Sequence, residues 1–334
     1  MNKQANSRPN FIFFITDQQR GNHLGCYGNP LLRTPHIDAL AARGWLFERF
    51  YVASAMCMPN RATIMTGRMP TLHGVRQNGI PLSLDSTCFT HLLQEVGYRT
   101  GLFGKSHLQN FTGDVPKFQL KIPEGLTPPP DRLREVMQGL RLGAAYDREL
   151  ASEKSTDPAA DEREGPFYGF ERFRFCTWHG DDVGGHYRGW LNARLPGADG
   201  LRSAVNPRPA PGYSAPQLRW SRIPEELYPT NYVADTTIEF LEERARDPQA
   251  APFFVQCSFP DPHHPFTPPG KYFHLYNPDE VRLPASFHHR PHDQTPMLKR
   301  MHEDLAAGRA QRQADLTFAT EPGGFGRVRR RGPP

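Results

Sequence analysis

Cys57-Met58-Pro59-Asn60-Arg61-Ala62-Thr63-Ile64-Met65-Thr66-Gly67-Arg68 is the stretch around which the rest of the chain is organised. Cys57 stands two residues before a proline that suits the first turn of a helix, and Arg61 follows two residues later. A thiolate, or a derivative of it, at a helix N-terminus sits where unpaired N–H groups and the helix dipole favour negative charge. Such a place suits chemistry on an anionic ester. Taken alone, a cysteine at a helix start is more often an inert core residue, so the flanking sequence has to decide.

Upstream, Asn10 to Thr16 is a short, continuously apolar run, the pattern of a parallel strand buried on both faces. Asp17 follows at its carboxyl end, where open α/β sheets place their ligand sites. A helix is expected over 34–44, with Thr34 as N-cap, Pro35 at the first position, and Ile37, Leu40 and Ala41 on its apolar side. Trp45 to Val52 reads as a strand delivering the chain to Cys57. Downstream, His73 and Asn78 follow the first helix, then an amphipathic helix over 87–96, a strand over 98–103, and Gly104-Lys105-Ser106-His107-Leu108. The alternation of strands and helices predicts an α/β fold, a mainly parallel sheet sandwiched by helices.

From about 111 to 165 the periodicity dissolves, with Pro128-Pro129-Pro130 inside it, and the segment reads as a surface insertion carrying no decisive motif. A helix over 131–142 is conceivable there. An alternating strand over 168–175 restores order, and His179-Gly180-Asp181-Asp182 after it reads as a pocket loop rather than a zinc ligand set. A second, proline-rich excursion covers 194–229. A helix over 231–246 then leads to the apolar strand 253–259, followed by Asp261-Pro262-His263-His264-Pro265.

Among 334 residues, 37% hydrophobic content and 34 prolines imply long loops or segments that do not pack. The net charge of +5 suits anionic small molecules, and no nucleic-acid partner is expected. Five widely spaced cysteines without a Cys-x-x-Cys pair argue against a disulfide scaffold and a zinc ribbon. The polar stretch before the first strand carries no signal-peptide or membrane-spanning pattern, so a cytoplasmic protein with no membrane partner is expected. Nothing in the sequence addresses the oligomeric state.

Cys-x-Pro-x-Arg followed by Thr-Gly resembles the signature of the formylglycine-dependent sulfatases of the alkaline phosphatase-like superfamily. Gly104 to Leu108 is similar to the family's Gly-Lys-x-His-Leu element, and Asp261 to Phe266 to its His-x-Pro element. The resemblance implies that Cys57 is oxidised by a formylglycine-generating enzyme to an aldehyde whose hydrate attacks a sulfate ester, aided by a divalent cation. It implies that Arg61 orients the hydrate and that Lys105 and His263 hold developing negative charge. His107 would assist release of the covalent sulfate, with His264 as a substrate contact alternative to His263. Asn78, which follows the signature helix, is expected as an amide ligand or substrate contact. Asp17, Gln18 and residue 57 would hold the metal, with Ca²⁺ expected first and Mg²⁺ or Mn²⁺ as alternatives. The Asp17-Gln18 pair is similar to the branch holding phosphonate monoester hydrolases, so phosphonate monoester or phosphodiester hydrolysis is a second expectation. The family's further strand and its remaining metal ligands are not recognisable after about residue 285, because Asp293, Asp304 and Asp315 lack a strand before them. A catalytic domain over 1–285 that is C-terminally incomplete, with an irregular basic tail over 286–334, is therefore expected. An inactive truncated remnant or anion-binding protein is the third reading.

Overall fold

The computed structural model describes residues 8–112, 124–127, 141–206, 208, 210, 213, 217–247, 251–283 and 295–307. Four strands, β1 (Phe11–Thr16), β2 (Arg99–Gly104), β3 (Arg172–Phe175) and β4 (Phe253–Phe259), form one parallel sheet in the order β1-β4-β2-β3. The registers pair Phe14 with Cys257, Phe103 with Cys257 and Gly104 with Phe175, so all four carboxyl ends emerge on one side. The helices are α1 (Pro35–Arg43), α2 (Cys57–Thr66), α3 (Pro70–His73), α4 (Phe89–Glu95), α5 (Arg148–Ala151), α6 (Pro158–Arg163), α7 (His186–Arg194), α8 (Pro229–Ala245) and α9 (Pro296–Ala306).

Period-two alternation divides the core between the two faces of the sheet. Leu102 packs with Phe173, Phe175 and Phe254 into a cluster that takes Met58, Ala62 and Met65 from α2. Its neighbour Phe103 points the other way, to Val255 and Phe240 of α8. Gly104 closes β2 where the backbone must approach β4. A Cβ there would lie 1.9 Å from the Ser258 carbonyl oxygen, and φ is 106°.

The chain divides into two compact units. The first, residues 1–19, 45–200 and 225–263, holds the sheet. The second comprises 20–44, 201–224 and 264–334 and contains α1 and α9. Several sequence expectations are corrected. No strand forms over 45–52; that backbone has no partner strand among the described residues, and Trp45 is 92% exposed. Helix α1 buries none of its expected apolar side, and Thr34 makes no N-terminal cap. Its hydroxyl instead donates to Asp38 Oδ1 at 2.9 Å and accepts from the Gly25 N–H at 2.8 Å. Inside the tail read as irregular, α9 spans eleven residues, with Leu298, Met301 and Leu305 at helical spacing. The helix conceived over 131–142 lies mostly outside the described residues, as does the rest of the basic tail. No helix among the described residues is long and apolar enough to cross a membrane.

Candidate active site

Each carboxyl end of the sheet contributes one piece of a single cluster. Asp17 follows β1, Lys105 and His107 follow β2, His179 lies four residues beyond β3, and His263 four residues beyond β4. Cys57 opens α2 and faces the same place, its Sγ 3.8 Å from Asp17 Oδ1. One ligand atom each from Asp17, Cys57 and His263 falls within 4.8 Å of the others. The backbone joins in, as the Asp17 N–H donates to the carbonyl of Asp261 at 3.1 Å.

Asp17 is the electrostatic centre. Burial alone would raise its pKa. The hydrogen bond from His179 and the charges of Lys105 and Arg61 outweigh burial and hold the carboxyl well below the usual carboxylate range. Lys105, with no exposed surface, donates to Asp17 Oδ2, and its Nζ lies 2.5 Å from His179 Nε2. The same ring nitrogen lies 3.2 Å from Asp17 Oδ2. One imidazole nitrogen cannot accept from Lys105 and donate to Asp17 at once, so the tautomer of His179 decides which of the two it serves. Burial, opposed by the Asp17 hydrogen bond, pushes His179 down to about 3. Its ring stacks on His263 with centroids 3.5 Å apart.

Arg61 is buried and acts as a brace. Its Nη1 donates to the Lys105 carbonyl at 2.7 Å and to Ser258 Oγ at 3.0 Å, tying α2 to the ends of β2 and β4. Its Nη2 lies 3.8 Å from Asp17. His107 is buried with neither ring nitrogen hydrogen-bonded, and its ring stacks on Phe111 at 4.1 Å. Burial, reinforced by Lys105 and Arg61, lowers its pKa well below the ordinary imidazole value, so it is a neutral base. Burial raises the Cys57 thiol, with Asp17 adding to the rise and Lys105 and Arg61 opposing it. The thiolate expected from a helix N-terminus is therefore disfavoured: burial and the neighbouring carboxylate win over the helix dipole.

Backbone strain concentrates here too. Of the four non-glycine residues with positive φ among the described residues, Gln18 (57°), His107 (55°) and Trp178 (58°) each lie within three residues of the end of β1, β2 or β3. The strain turns each chain sharply as it leaves the sheet. It leaves Gln18 exposed beside Asp17. Asn78, expected as an amide ligand or substrate contact, accepts the N–H of Met58 at 3.0 Å and so caps the start of α2. His73 is committed to structure through Thr63 Oγ1 at 3.0 Å and the Val75 N–H at 3.1 Å. His264 begins the last segment of the second unit.

Two groups at the site carry no signal that singles them out in the sequence. His179 stands in a loop that reads only as pocket lining, although its place after β3 follows the same strand-end logic as its neighbours. Asp261 reads only as the start of the His-x-Pro element. Its carboxylate accepts from Thr230 at 2.9 Å and from Tyr228 at 3.5 Å, while burial pushes it up to about 6.

The model of the Sulfatase family matches residues 9–282. An arylsulfatase of Clostridium perfringens is 28% identical over 282 residues, which cover 83% of this chain and 48% of that protein. An N-acetylglucosamine-6-O-sulfatase of Bacteroides thetaiotaomicron is 38% identical over 106 residues, 32% of this chain and 19% of its own length. Among solved structures, the phosphonate monoester hydrolase of Silicibacter pomeroyi superposes with a TM-score of 0.58 at 21% identity, covering 95% of this chain and 51% of that one. That of Agrobacterium radiobacter gives 0.55 at 24%, covering 83% and 45%. The chain thus spans about half, or less, of the length of these relatives. With the family pattern running through all four strands and the strand-end cluster, the chain belongs to the sulfatase family.

Proposed function

We propose that this chain carries the nucleophile half of a sulfuric ester hydrolase that works through an oxidised Cys57. The observation that carries the reading is the convergence of Asp17, Cys57, Lys105, His107 and His263 at the carboxyl ends of one parallel sheet, with Arg61 bracing α2 behind them. Oxidation to the aldehyde by a formylglycine-generating enzyme would give residue 57 a hydrated hydroxyl as nucleophile, which suits a site where the thiol is held protonated.

The donor set fits a divalent cation. Asp17 is ionised throughout the working pH range, and its oxygen lies within 4.8 Å of the donor atoms of Cys57 and His263. Asp17, the oxidised residue 57 and the exposed Gln18 amide would hold it, and oxygen donors of this kind favour Ca²⁺, Mg²⁺ or Mn²⁺. The ion would supply positive charge against the ester oxygens.

The chain's own residues do the rest. Lys105 directs its ammonium at Asp17 and the space beside Cys57, where a second anionic group would draw it. His107, neutral and with both ring nitrogens unengaged, is placed to take a proton. His263, stacked on His179, stands where a leaving oxygen would be protonated. The substrate is a small sulfate monoester.

The test is co-expression with a formylglycine-generating enzyme, peptide mass analysis at position 57, and assay of 4-nitrophenyl sulfate beside a phenyl phosphonate ester with Ca²⁺, Mg²⁺ or Mn²⁺. Conversion at Cys57 with metal-dependent sulfate release supports the reading. An unconverted Cys57, under conditions that convert a control peptide, would reject it. Faster turnover of the phosphonate would move the assignment to the phosphonate hydrolase branch.

A further inference from the structure

The segment read as a motif-free insertion delivers one side chain into the core. Glu149, on α5, has no exposed surface, although its neighbours Asp147 and Leu150 are exposed. Its two carboxylate oxygens are both engaged by the backbone of the loop after β2. Oε1 accepts from the N–H of His107 at 2.7 Å, and Oε2 from the N–H of Gln109 at 2.6 Å. The lacing is reciprocal. Gln109 Oε1 accepts from the N–H of Arg148 at 2.9 Å, and its Nε2 donates to the Ala145 carbonyl at 2.8 Å. Between the two clamped amides, the Leu108 carbonyl accepts from the Leu82 N–H at 2.9 Å.

We propose that Glu149 is the positioning residue of this site, a carboxylate clamp across the His107 and Gln109 amides that holds the β2 loop in the shape presenting Lys105 and His107. The proposal rests on the sulfatase reading for its effect on turnover, while the clamp itself rests on the contacts alone.

His107 needs such a clamp. Its φ of 55° is a left-handed conformation that a residue with a side chain adopts only when its surroundings impose it. Its ring has no hydrogen bond of its own to fix it, only the stack on Phe111. The ring's direction is thus set through the backbone, and the backbone is set by Glu149. Two acceptor atoms on one planar head give each of the two amides its own oxygen. Glutamine offers one oxygen and one NH₂, so one of the N–H groups would face a donor. Burial pushes the Glu149 carboxyl up to about 7, against the pull of the two N–H donors and of Arg61. A residue chosen only to fill this space would not need to be ionisable.

The experiment uses the full chain and the variants Glu149→Gln, Glu149→Asp and, as a control on the same segment, the exposed Asp147→Asn. Amide hydrogen exchange is read residue by residue, together with the ring resonances of His107 and, after conversion of Cys57, kcat and KM for a sulfate ester. The expected result is exchange at His107 and Gln109 faster by roughly tenfold in Glu149→Gln, the scale of one lost hydrogen bond. Leu102 and Phe103 in β2 should exchange as before, and the His107 ring signals should shift. The shorter side chain in Glu149→Asp reaches one amide and should give a smaller effect, and Asp147→Asn none. Turnover should lose about 10- to 100-fold in kcat, the cost of a misplaced group, with KM little changed.

A folded Glu149→Gln with unaltered exchange at both amides would overturn the clamp. So would acceleration spread evenly over β2, which marks a merely structural residue. If Glu149→Gln does not fold, Glu149→Asp decides on the same readouts. If no protein turns over any ester, the sulfatase reading fails, and the exchange and ring signals alone decide the clamp.

Discussion

Asp17 carries the most unusual burden of any single residue, since a buried carboxylate is tolerable only while its cations stay in place. Removing one partner of such a group leaves charge uncompensated. Lys105→Met should therefore destabilise the fold by about 3 kcal/mol, the lower end for a broken buried pair because the Arg61 charge and the His179 hydrogen bond remain. Denaturant titration measures this. Because the folded pKa of Asp17 is depressed below 3.8, its contribution is present above that value and is lost as pH falls beneath it. The wild-type advantage should accordingly shrink in acid. Asp261 behaves in the opposite sense. Its carboxyl is raised from 3.8 to about 6, so the folded state holds a proton that the unfolded state has released. Its contribution is complete below the lower value and is lost as pH rises through the upper one, by up to ~3 kcal/mol at 1.36 kcal/mol per unit. Asp261→Asn cannot titrate, so its stability relative to wild type should improve between roughly pH 4 and pH 7. A difference that stays flat over that range would remove Asp261 from the account of pH dependence. Glu149 is also raised, but it is common to both proteins and cancels.

Helix α2 joins the core to the chemistry. Its inner face, Met58, Ala62 and Met65, is buried against the sheet, while its first turn carries Cys57. Met56, the residue before it, makes no side-chain cap, so the N–H of Met58 depends on Asn78 from outside the helix. Asn78→Ala should cost about 1 kcal/mol, as other lost caps do. The fraying would be local to the turn that holds Cys57, so the unmodified thiol should react faster with iodoacetamide. A loss of stability with no change in thiol reactivity would place the effect of Asn78 elsewhere in the fold.

At the scale of the whole molecule, β1 and β3 are the edges of the sheet among the described residues, and β1 is the exposed one. β1 pairs only with β4 among the described residues, and Phe11, Ile12 and Phe14 are 45%, 44% and 57% exposed. A parallel strand of this composition is normally covered on both faces, and an open apolar edge invites pairing with another chain. Phe14→Lys should reduce concentration-dependent association in light scattering and change stability little, because most of that side chain already faces water. Undiminished association would shift attention to the exposed aromatic run Trp45, Phe47, Phe50 and Tyr51.

The sequence by itself determined what local pattern can encode. Apolar runs at 11–16 and 253–259 became β1 and β4, and a proline in the first turn with helical spacing beyond it became α2. The rule that ligand residues follow parallel strands placed Asp17, Lys105, His107 and His263 together, because that rule depends only on chain direction in the sheet. Tertiary structure decided whatever depends on partners remote in the chain. Trp45 to Val52 has strand-like composition but no neighbour to bond, so it is not a strand. Asn78 reads in sequence as an amide ligand or substrate contact, and the fold adds the Met58 amide as a partner of its oxygen. The Cys57 thiol is held protonated by burial and Asp17 despite its helix N-terminus. Glu149 looks like any charged residue of a loop until its two oxygens meet amides 40 and 42 positions earlier in the chain. Periodicity reports which way a side chain points along its own element; only the folded chain fixes what it meets there.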